Sequence, residues 1–203
     1  CDITHDAGLK QAVEDTVKAF GGLDILVSNA GIFTANENIE DMSDSTWQAS
    51  MDINLTSHQR LMKHCIPFLR HGIDPAIIFI ASKNVPAPGP GAGAYSAAKA
   101  GIHVMTQVAA VEYARYNIRV NCIAPGGHRS ELGHDMPRPT APPDPEQMKV
   151  MQEMMGKFME DVPLRRGGDA EELAGLAVLL ASDASSYITG QIITQDGGRS
   201  AKH

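Results

Sequence analysis

Apolar positions along the chain follow two spacings. Residues 76–81 (Ala-Ile-Ile-Phe-Ile-Ala) form a short continuous apolar run rich in β-branched side chains, which predicts a buried parallel strand. Elsewhere apolar residues recur every three or four positions, which predicts helices over 7–20, 44–71, 94–116 and 169–183. Between residues 76 and 116 the sequence therefore predicts a strand, a loop and a helix in succession.

Three side chains of this strand–loop–helix unit are candidates for catalysis. Ser82 follows the strand, at the end where open α/β sheets place their ligands. Residues 83–93 predict a loop because they contain three prolines and three glycines. Tyr95 and Lys99 then lie one turn apart on the same helix face. Since a nearby ammonium favours phenolate, we expect Lys99 to lower the Tyr95 pKa from its usual value of about 10. Such a tyrosine can exchange a proton with an alcohol or a carbonyl.

These residues and four further segments resemble the short-chain dehydrogenase/reductase family over nearly the whole chain. The Tyr95-Ser-Ala-Ala-Lys99 motif follows Ser82 at the family's position. The other matching segments are Leu23-Asp-Ile-Leu-Val-Ser-Asn-Ala-Gly31, Met51-Asp-Ile-Asn-Leu55, Ile118-Arg-Val-Asn-Cys-Ile-Ala-Pro-Gly126 and Tyr187-Ile-Thr-Gly-Gln-Ile-Ile-Thr-Gln-Asp-Gly-Gly198. Ser28 stands where the family's Asn-Asn-Ala-Gly motif has its first Asn. The resemblance implies an α/β fold with a doubly wound parallel, Rossmann-like sheet.

The resemblance also implies an NAD(P)-dependent oxidoreductase, with NAD or NADP as cofactor and an alcohol or carbonyl compound as substrate. Tyr95 would be the general acid/base, and Lys99 would lower its pKa and bind the nicotinamide ribose. Ser82 would donate a hydrogen bond to the substrate oxygen. Asn54 would hold a water that relays protons from Lys99 to solvent.

Cofactor contacts carry over from the family with one departure. Tyr95 and Lys99 would also contact the cofactor. The further implied contacts are Asp2 and Ile3 at the adenine, Asn29, Ala30 and Gly31 at the adenosine ribose, and Pro125 and Gly126 at the nicotinamide. After that turn the family usually has Ile or Val and then Thr, whereas this chain has His128 and Ser130. We expect His128 to contact nicotinamide through its backbone, to direct a titratable ring at the substrate, or to be simply a satisfied polar residue. We expect Ser130 to donate to a phosphate or the carboxamide.

The family's opening strand, glycine-rich turn and helix have no counterpart in this sequence. Cys1-Asp2-Ile3-Thr4 resembles the segment after the third strand, so two crossovers of about 30 residues each would be absent. We expect a fragment, or a chain whose first part is not included. A natural truncation is the alternative, and it would bind a dinucleotide poorly without the phosphate cradle.

Charge and cysteine content limit the kinds of binding partner and the cellular compartment that fit this chain. A formal net charge of −7 argues against nucleic acid and against an anionic membrane, and no apolar run is long enough to span a bilayer. Cys1, Cys65 and Cys122 show no metal-like spacing and fit a reducing, cytoplasmic compartment, with Cys65 and Cys122 buried. No metal site is expected.

The predicted organisation is one domain over 1–203 with a variable substrate lid at about 128–162. The lid contains five methionines between 148 and 159, which suit either plain packing or an adaptable apolar pocket. Lys83 and Asn84 are polar where the family's pocket is usually small or apolar. That hints at a polyol, sugar or hydroxy-aldehyde as substrate, with Ser82, Asn84 and Tyr95 contacting it.

Two other functions remain open at this point. One is a non-redox member of the superfamily, such as an epimerase or dehydratase that keeps its nicotinamide. The other is a non-catalytic truncated subunit that serves oligomerisation. The resemblance further implies a homotetramer, or a dimer, in which the helices near 44–71 and 94–116 pair across subunits.

Overall fold

The computed structural model of the chain describes residues 1–33, 37–129, 144, 146, 148–149, 153, 156 and 160–202. Within these residues the α-helices are α1 (Asp6–Phe20), α2 (Asp44–Met51), α3 (Ser57–Leu69), α4 (Gly93–Tyr113) and α5 (Ala174–Ala181). The strands are β1 (Ile25–Ser28), β2 (Ala76–Ile80), β3 (Arg119–Pro125), β4 (His128–Arg129), β5 (Gly168–Asp169) and β6 (Ile192–Gln195). None of the described helices has the length and apolar character needed to cross a bilayer.

The main sheet consists of four parallel strands in the order β1–β2–β3–β6. Ser28 pairs with Phe79, Ile80 with Ile123, and Pro125 with Gln195 near the carboxyl ends of the strands. Because parallel strands end at the same edge, the residues that follow β1, β2 and β3 emerge together. This edge carries the site described below.

Both faces of the sheet are covered, as in a doubly wound fold. On one face α1, α3 and α4 bury a core with Ile77 and Phe79 of β2, while Ile78 of the same strand packs with Leu180 of α5 on the other face. Alternating residues of a strand point to opposite faces, so β2 is apolar throughout because both of its faces are buried. Cys65 and Cys122 lie in the first of these cores, as predicted.

The helix predictions hold with two changes in detail. The predicted helix over 44–71 is one helical run whose middle, Asp52–Thr56, is a π-turn between α2 and α3. The predicted helix over 169–183 begins as a 3₁₀ turn at Ala170–Leu173 and ends at Ala181. Asp169 caps it in a reciprocal capping box with Glu172.

Candidate active site

Ser82 lies two residues beyond the end of β2, where the chain is still attached to the neighbouring strand. The amides of Ala81 and Lys83 donate to the carbonyl oxygens of Ile123 and Pro125 at 2.8 and 2.9 Å. The Ser82 side chain is buried, and its Oγ accepts a hydrogen bond from the Asn84 amide at 3.1 Å. The hydroxyl is therefore held by sheet pairing on one side and by its own turn on the other.

Tyr95 faces Ser82 from the first turn of α4. Its side chain is 6% exposed, it is hydrogen-bonded with the Ser82 side chain, and Phe33 packs edge-on against its ring with centroids 4.9 Å apart. Phe33 comes from the loop after β1. Three separate segments thus fix the phenol, which makes its hydroxyl a positioned proton donor or acceptor.

The sequence prediction for the Tyr95 pKa is wrong in direction. Burial raises the pKa of the phenol above its usual value of 10.0, and the hydrogen bond with Ser82 opposes this only in part. Removal from water disfavours the charged phenolate. The Lys99 ammonium lies 5.8 Å from the Tyr95 ring centroid and donates instead to the Ile80 carbonyl oxygen at 2.9 Å. Helical spacing alone therefore overstated the electrostatic influence of Lys99.

Lys99 is a buried ammonium beneath the candidate site. Its side chain is 3% exposed, and burial lowers its pKa from 10.5 to about 8. The hydrogen bond to Ile80 uses one of its three protons and ties α4 to the end of β2. Two protons remain for other acceptors at this edge of the sheet.

Asn54 sits in the π-turn that interrupts the long helix between α2 and α3. It is fully buried, its Oδ1 accepts from the Ile32 amide at 3.0 Å, and its Nδ2 donates to Ser50 Oγ at 3.3 Å. A π-turn widens the helix locally, and such turns are frequent at functional sites. The Asn54 amide thereby joins this helix to the loop that follows β1.

Gly31 brings Asn54 and Lys99 into one cluster and provides a test of whether a cofactor fits here. A Cβ added to Gly31 would lie 3.0 Å from Asn54 Oδ1 and 3.5 Å from Lys99 Nζ. The bare backbone thus leaves the ammonium within reach of a ligand at this edge, next to the exposed Asn29 and Ala30. An ammonium with two protons to spare beside an open glycine suits the hydroxyl groups of a ribose. These residues therefore fit a nicotinamide dinucleotide.

The turn after β3 closes tightly on the last strand. Gly126 donates to the Gln195 carbonyl, and a Cβ on Gly126 would lie 2.5 Å from the Asp196 Cβ. No larger residue fits this position without a backbone shift. This close turn places Pro125 and Gly126 at the same sheet edge as Ser82.

His128 follows that turn and is half-buried. Its Nδ1 lies 3.3 Å from the Gly126 carbonyl oxygen, and its ring covers Gly168, where a Cβ would come within 2.5 Å of Nε2. The ring therefore packs on the β4–β5 pair, which agrees with the expectation of a satisfied polar residue. Ser130 lies outside the described residues, as does most of the predicted lid.

Asp2 and Ile3, which the resemblance places at the adenine, lie at the start of the chain. Asp2 Oδ1 accepts hydrogen bonds from the amide and the hydroxyl of Thr4, which lower the Asp2 pKa. Ile3 is half-buried, and the Thr4 carbonyl oxygen accepts from Arg60 of α3 at 3.2 Å. Among the described residues, no hydrogen bond or ion pair joins this turn to the Ser82–Tyr95 pair, so its role stays a prediction.

Sequence reasoning missed one buried residue of this region. His58 lies one helical turn after Asn54, and its Nδ1 is 2.6 Å from Ser28 Oγ. Its ring also packs edge-on against Phe79 at 6.3 Å. The available signals were the spacing of four from Asn54 and the serine at the first position of the Ser-Asn-Ala-Gly segment.

The fold and site define a doubly wound α/β protein with Ser82, Tyr95, Lys99 and Asn54 gathered at the carboxyl edge of its parallel sheet. A family model described as enoyl-(acyl carrier protein) reductase matches residues 1–200. The chain is 33% identical over 200 residues to an uncharacterized short-chain type dehydrogenase/reductase of Sinorhizobium fredii, covering 98% of this chain and 74% of that protein. It is 35% identical over 201 residues to a 3-oxoacyl-[acyl-carrier-protein] reductase of Chlamydia pneumoniae, covering 97% and 73%.

Solved structures give the same result. The aldohexose dehydrogenase of Thermoplasma acidophilum, in ligand-free form, superposes with a TM-score of 0.87 at 28% identity over all of this chain and 78% of that one. A levodione reductase superposes with a TM-score of 0.87 at 27% identity over all of this chain and 76% of that one. The chain belongs to the short-chain dehydrogenase/reductase family, which confirms the family prediction.

Proposed function

We propose that the protein is an NAD(P)-dependent oxidoreductase that transfers a hydride between a nicotinamide cofactor and an alcohol or carbonyl substrate. The observation that carries this proposal is the hydrogen-bonded pair of Ser82 and Tyr95 at the carboxyl end of β2, above the buried Lys99 ammonium. A hydroxyl pair beside a buried cation is suited to moving a proton onto or off a substrate oxygen. Neither a scaffold nor a purely structural domain requires that arrangement.

Each residue has a distinct part in the proposed reaction. Ser82 Oγ donates a hydrogen bond to the substrate oxygen and stabilises the charge that develops there. Tyr95 gives its proton to a carbonyl during reduction, or takes one from an alcohol during oxidation. Lys99 ties α4 to the end of β2 and keeps two N–H protons for the ribose of the cofactor. Asn54 holds the loop after β1 against the helix, so that the site keeps its shape.

The nicotinamide cofactor would supply the hydride itself when bound. Lys99 and Tyr95, with Asn29, Ala30 and Gly31, would hold its ribose groups, while Pro125, Gly126 and the backbone of His128 would lie at the nicotinamide. Asp2 and Ile3 would lie at the adenine, and Ser130 would donate to a phosphate or the carboxamide. Both NAD and NADP remain candidates.

We propose a polyol, sugar or hydroxy-aldehyde as the substrate. Asn84 is buried directly beside Ser82, and Lys83 is half-buried with its Nζ donating to the Ala87 carbonyl at 3.1 Å. Polar side chains at this position suit a substrate with several hydroxyl groups. The name of the Thermoplasma acidophilum neighbour, an aldohexose dehydrogenase, is consistent with such a substrate.

A carbonyl on an acyl chain is the second candidate substrate. It is favoured by the names of the sequence relatives, which include 3-oxoacyl-[acyl-carrier-protein] reductases of Chlamydia pneumoniae and Thermotoga maritima at 35% and 33% identity. The two candidate substrates require different side chains at the mouth of the site. A long apolar acyl chain would need an apolar channel, whereas a sugar would need the polar groups of the Lys83–Asn84 turn.

The test is a titration with NADH and with NADPH, followed by nicotinamide fluorescence, and then turnover on a panel of aldohexoses, polyols and a 3-oxoacyl thioester. Saturable binding with a net change in nicotinamide absorbance supports the oxidoreductase, and the preferred cofactor and substrate follow from the same data. Binding with substrate conversion but no net redox change would identify the epimerase or dehydratase. Absence of binding by the full-length protein would favour the non-catalytic subunit.

We also propose that the protein acts as a homotetramer or a dimer in the cytoplasm. Val104, Val108 and Val111 form an exposed stripe along α4, and Trp47 of α2 is exposed as well. Apolar side chains at this spacing share one helix face and suit burial against a second copy. Light scattering should show an assembly of two or four chains, and Val108→Lys should reduce it.

A further inference from the structure

Phe33 is an aromatic side chain beside the Tyr95 phenol that has no part in the proposed proton transfer. It lies in the loop that follows Ser28, the last residue of β1, at the carboxyl edge of the sheet. Its ring centroid is 4.9 Å from that of Tyr95, and the two rings are inclined by 73°. Edge-on packing of this kind is a favourable arrangement of two aromatic rings. Phe33 therefore forms one wall of the space around the phenol.

The backbone that leads to Phe33 is held by a buried side chain. The Ile32 amide donates to Asn54 Oδ1 at 3.0 Å, and Asn54 is fully buried. Gly31 lies against the same side chain, because a Cβ at that position would be 3.0 Å from Asn54 Oδ1. The two residues before Phe33 are thus held to the helical run that carries Asn54. This anchor keeps the Phe33 ring beside Tyr95.

Packing in the interior does not account for the Phe33 ring. Within the described part of the chain, Phe33 belongs to neither of the two cores that cover the sheet. Its only ring contact among these residues is with Tyr95. Tyr95 is 6% exposed, whereas Phe33 is only half-buried. A large apolar residue thus remains partly exposed next to a buried reactive hydroxyl. Binding sites for small molecules typically combine apolar and aromatic walls with a few polar groups.

The other side of Ser82 is polar. The main sheet has the order β1–β2–β3–β6, so Ser82, which follows β2, lies between the loop that carries Phe33 and the turn after β3. The Lys83 amide donates to the Pro125 carbonyl oxygen of β3 at 2.9 Å. The turn after Ser82 therefore leans towards β3 and away from Phe33. A substrate oxygen held by Ser82 and Tyr95 has an aromatic ring on the β1 side and a polar turn on the β3 side.

We propose that Phe33 is a specificity-determining residue of the substrate site, whose ring packs on a hydrocarbon group attached to the reacting carbon. This inference rests on the proposed oxidoreductase function and narrows its substrate class. The preferred substrate is a hydroxy-carbonyl compound, or the corresponding alcohol, with a hydrocarbon group on one side of the reacting carbon and a hydroxyl-bearing group on the other. The hydrocarbon group lies on Phe33, and the hydroxyl-bearing group lies at the Lys83–Asn84 turn.

Desolvation gives this arrangement its selectivity. A hydrocarbon group that packs on Phe33 leaves water without losing a hydrogen bond. A hydroxyl group in the same place would lose its water and gain no partner from the ring. Phe33 thus favours substrates that are apolar on the β1 side and disfavours those with hydroxyl groups on both sides of the reacting carbon.

Two small aldehydes, butanal and glyceraldehyde, separate contact with the substrate from support of Tyr95. Phe33→Ser should raise KM for butanal about tenfold and change KM for glyceraldehyde by less than about threefold. Phe33→Leu keeps an apolar side chain and should hold KM for butanal within about threefold of the wild type. If the ring only supports Tyr95, kcat falls by the same factor for both aldehydes and neither KM changes. That result would overturn the proposal.

Benzyl alcohol provides a test without turnover, because it has one hydroxyl group and one apolar ring. Its dissociation constant is measured by saturation-transfer nuclear magnetic resonance on the full-length protein, with and without NADH. Phe20→Ser is the matched control, since Phe20 is exposed at the end of α1. We expect saturable binding to the wild type, weakened about fivefold or more in Phe33→Ser and unchanged within about twofold in Phe20→Ser. Equal dissociation constants in wild type and Phe33→Ser, or no saturable binding under either condition, overturn the proposal.

These readouts separate the role of Phe33 from the proposed function. Turnover of both aldehydes, with benzyl alcohol binding that is independent of Phe33, leaves the oxidoreductase in place and overturns the specificity role. Binding that depends on Phe33, without turnover of any carbonyl compound, supports the apolar contact and contradicts the oxidoreductase. If Phe33→Ser fails to fold, nuclear Overhauser contacts between benzyl alcohol and the Phe33 ring protons of the wild type decide the question. Their presence supports the proposal, and their absence overturns it.

Discussion

The two sides of Ser82 are built in different ways. On the inner side, Tyr95, Lys99, Asn54 and His58 are buried side chains of helices, each fixed by a partner from another element. On the outer side, the loop after Ser82 is stabilised by hydrogen bonds within its own turn. The Lys83 ammonium donates to the Ala87 carbonyl, the Asn84 amide donates to Ser82 Oγ, and residues 88–90 are exposed. The inner side is positioned by the core of the protein, whereas the outer side depends on a local turn.

The difference indicates a division of labour. Proton transfer needs donors and acceptors fixed within a few tenths of an ångström, which buried helices and strands can provide. Selection of a substrate needs a surface that varies without disturbing the core, and loops at the carboxyl edge of a parallel sheet provide that. Mutations on the inner side should therefore act on kcat, and mutations on the outer side on KM.

Lys99→Met should lower kcat more than Ser82→Ala or Lys83→Met does. Removal of the ammonium takes away the hydrogen bond that ties α4 to Ile80 and the donor proposed for the cofactor ribose, and we expect kcat to fall by about 10³-fold. The variant should nonetheless fold, because burial lowers the Lys99 pKa to about 8 and the charged side chain thus weakens the fold at neutral pH. Urea unfolding should show equal or greater stability than the wild type at neutral pH. A Lys99→Met variant with near wild-type kcat would contradict the assignment of proton transfer to the inner side.

Ser82→Ala should lower kcat by about 10²-fold, which is less than the loss expected for Lys99→Met. The loss of one hydroxyl removes a donor to the substrate oxygen and the hydrogen bond that opposes the rise in the Tyr95 pKa. Steady-state kinetics would show it as a fall in kcat with a smaller change in KM. Ser96→Ala, one residue beyond Tyr95, is the matched control and should leave kcat within about twofold. An equal loss in both variants would indicate a folding defect.

His58 should make the inner side sensitive to acid. Its pKa is about 4 in the folded protein and 6.5 when unfolded, so below pH 6.5 the unfolded chain binds a proton that the native ring does not. Stability is therefore lost as the pH falls from 6.5 towards 4, by up to about 3 kcal/mol from this group. Urea midpoints measured across this range should fall less in His58→Gln than in the wild type. If the urea midpoints of the two proteins fall in parallel as the pH is lowered, folding does not lower the His58 pKa.

Lys83→Met should have the smallest effect. Its ammonium contacts the Ala87 carbonyl of its own loop and lies outside the Tyr95–Lys99 cluster. We expect KM for a polyhydroxy substrate to rise by roughly threefold to tenfold, with kcat nearly unchanged. The same substitution should leave KM for a simple alcohol unaffected. A fall in kcat alone would place Lys83 on the inner side.

Local parts of the site could be predicted from the sequence, and parts that depend on burial or distant contacts could not. The order β2, Ser82, loop, α4 was predictable because each step is set by neighbouring residues, such as the apolar run and the proline-rich loop. The pairing of Ser28 with His58 joins residues 30 positions apart, so the local signals at each residue do not show that the two side chains meet. The Tyr95 pKa was predicted in the wrong direction because helical spacing gives the nearness of Lys99 but not the burial of the phenol.

The most direct test of the account compares wild type and Tyr95→Phe in two measurements on the same preparations, kcat and the dissociation constant for NADH or NADPH. Phenylalanine keeps the ring and its edge-on contact with Phe33 but removes the hydroxyl. We expect a loss in kcat of about 10³-fold or more, with cofactor affinity lowered by no more than about tenfold, because only one hydrogen bond to the ribose is lost. Turnover at the wild-type rate in Tyr95→Phe would show that Tyr95 is not the proton donor and would contradict the proposed mechanism.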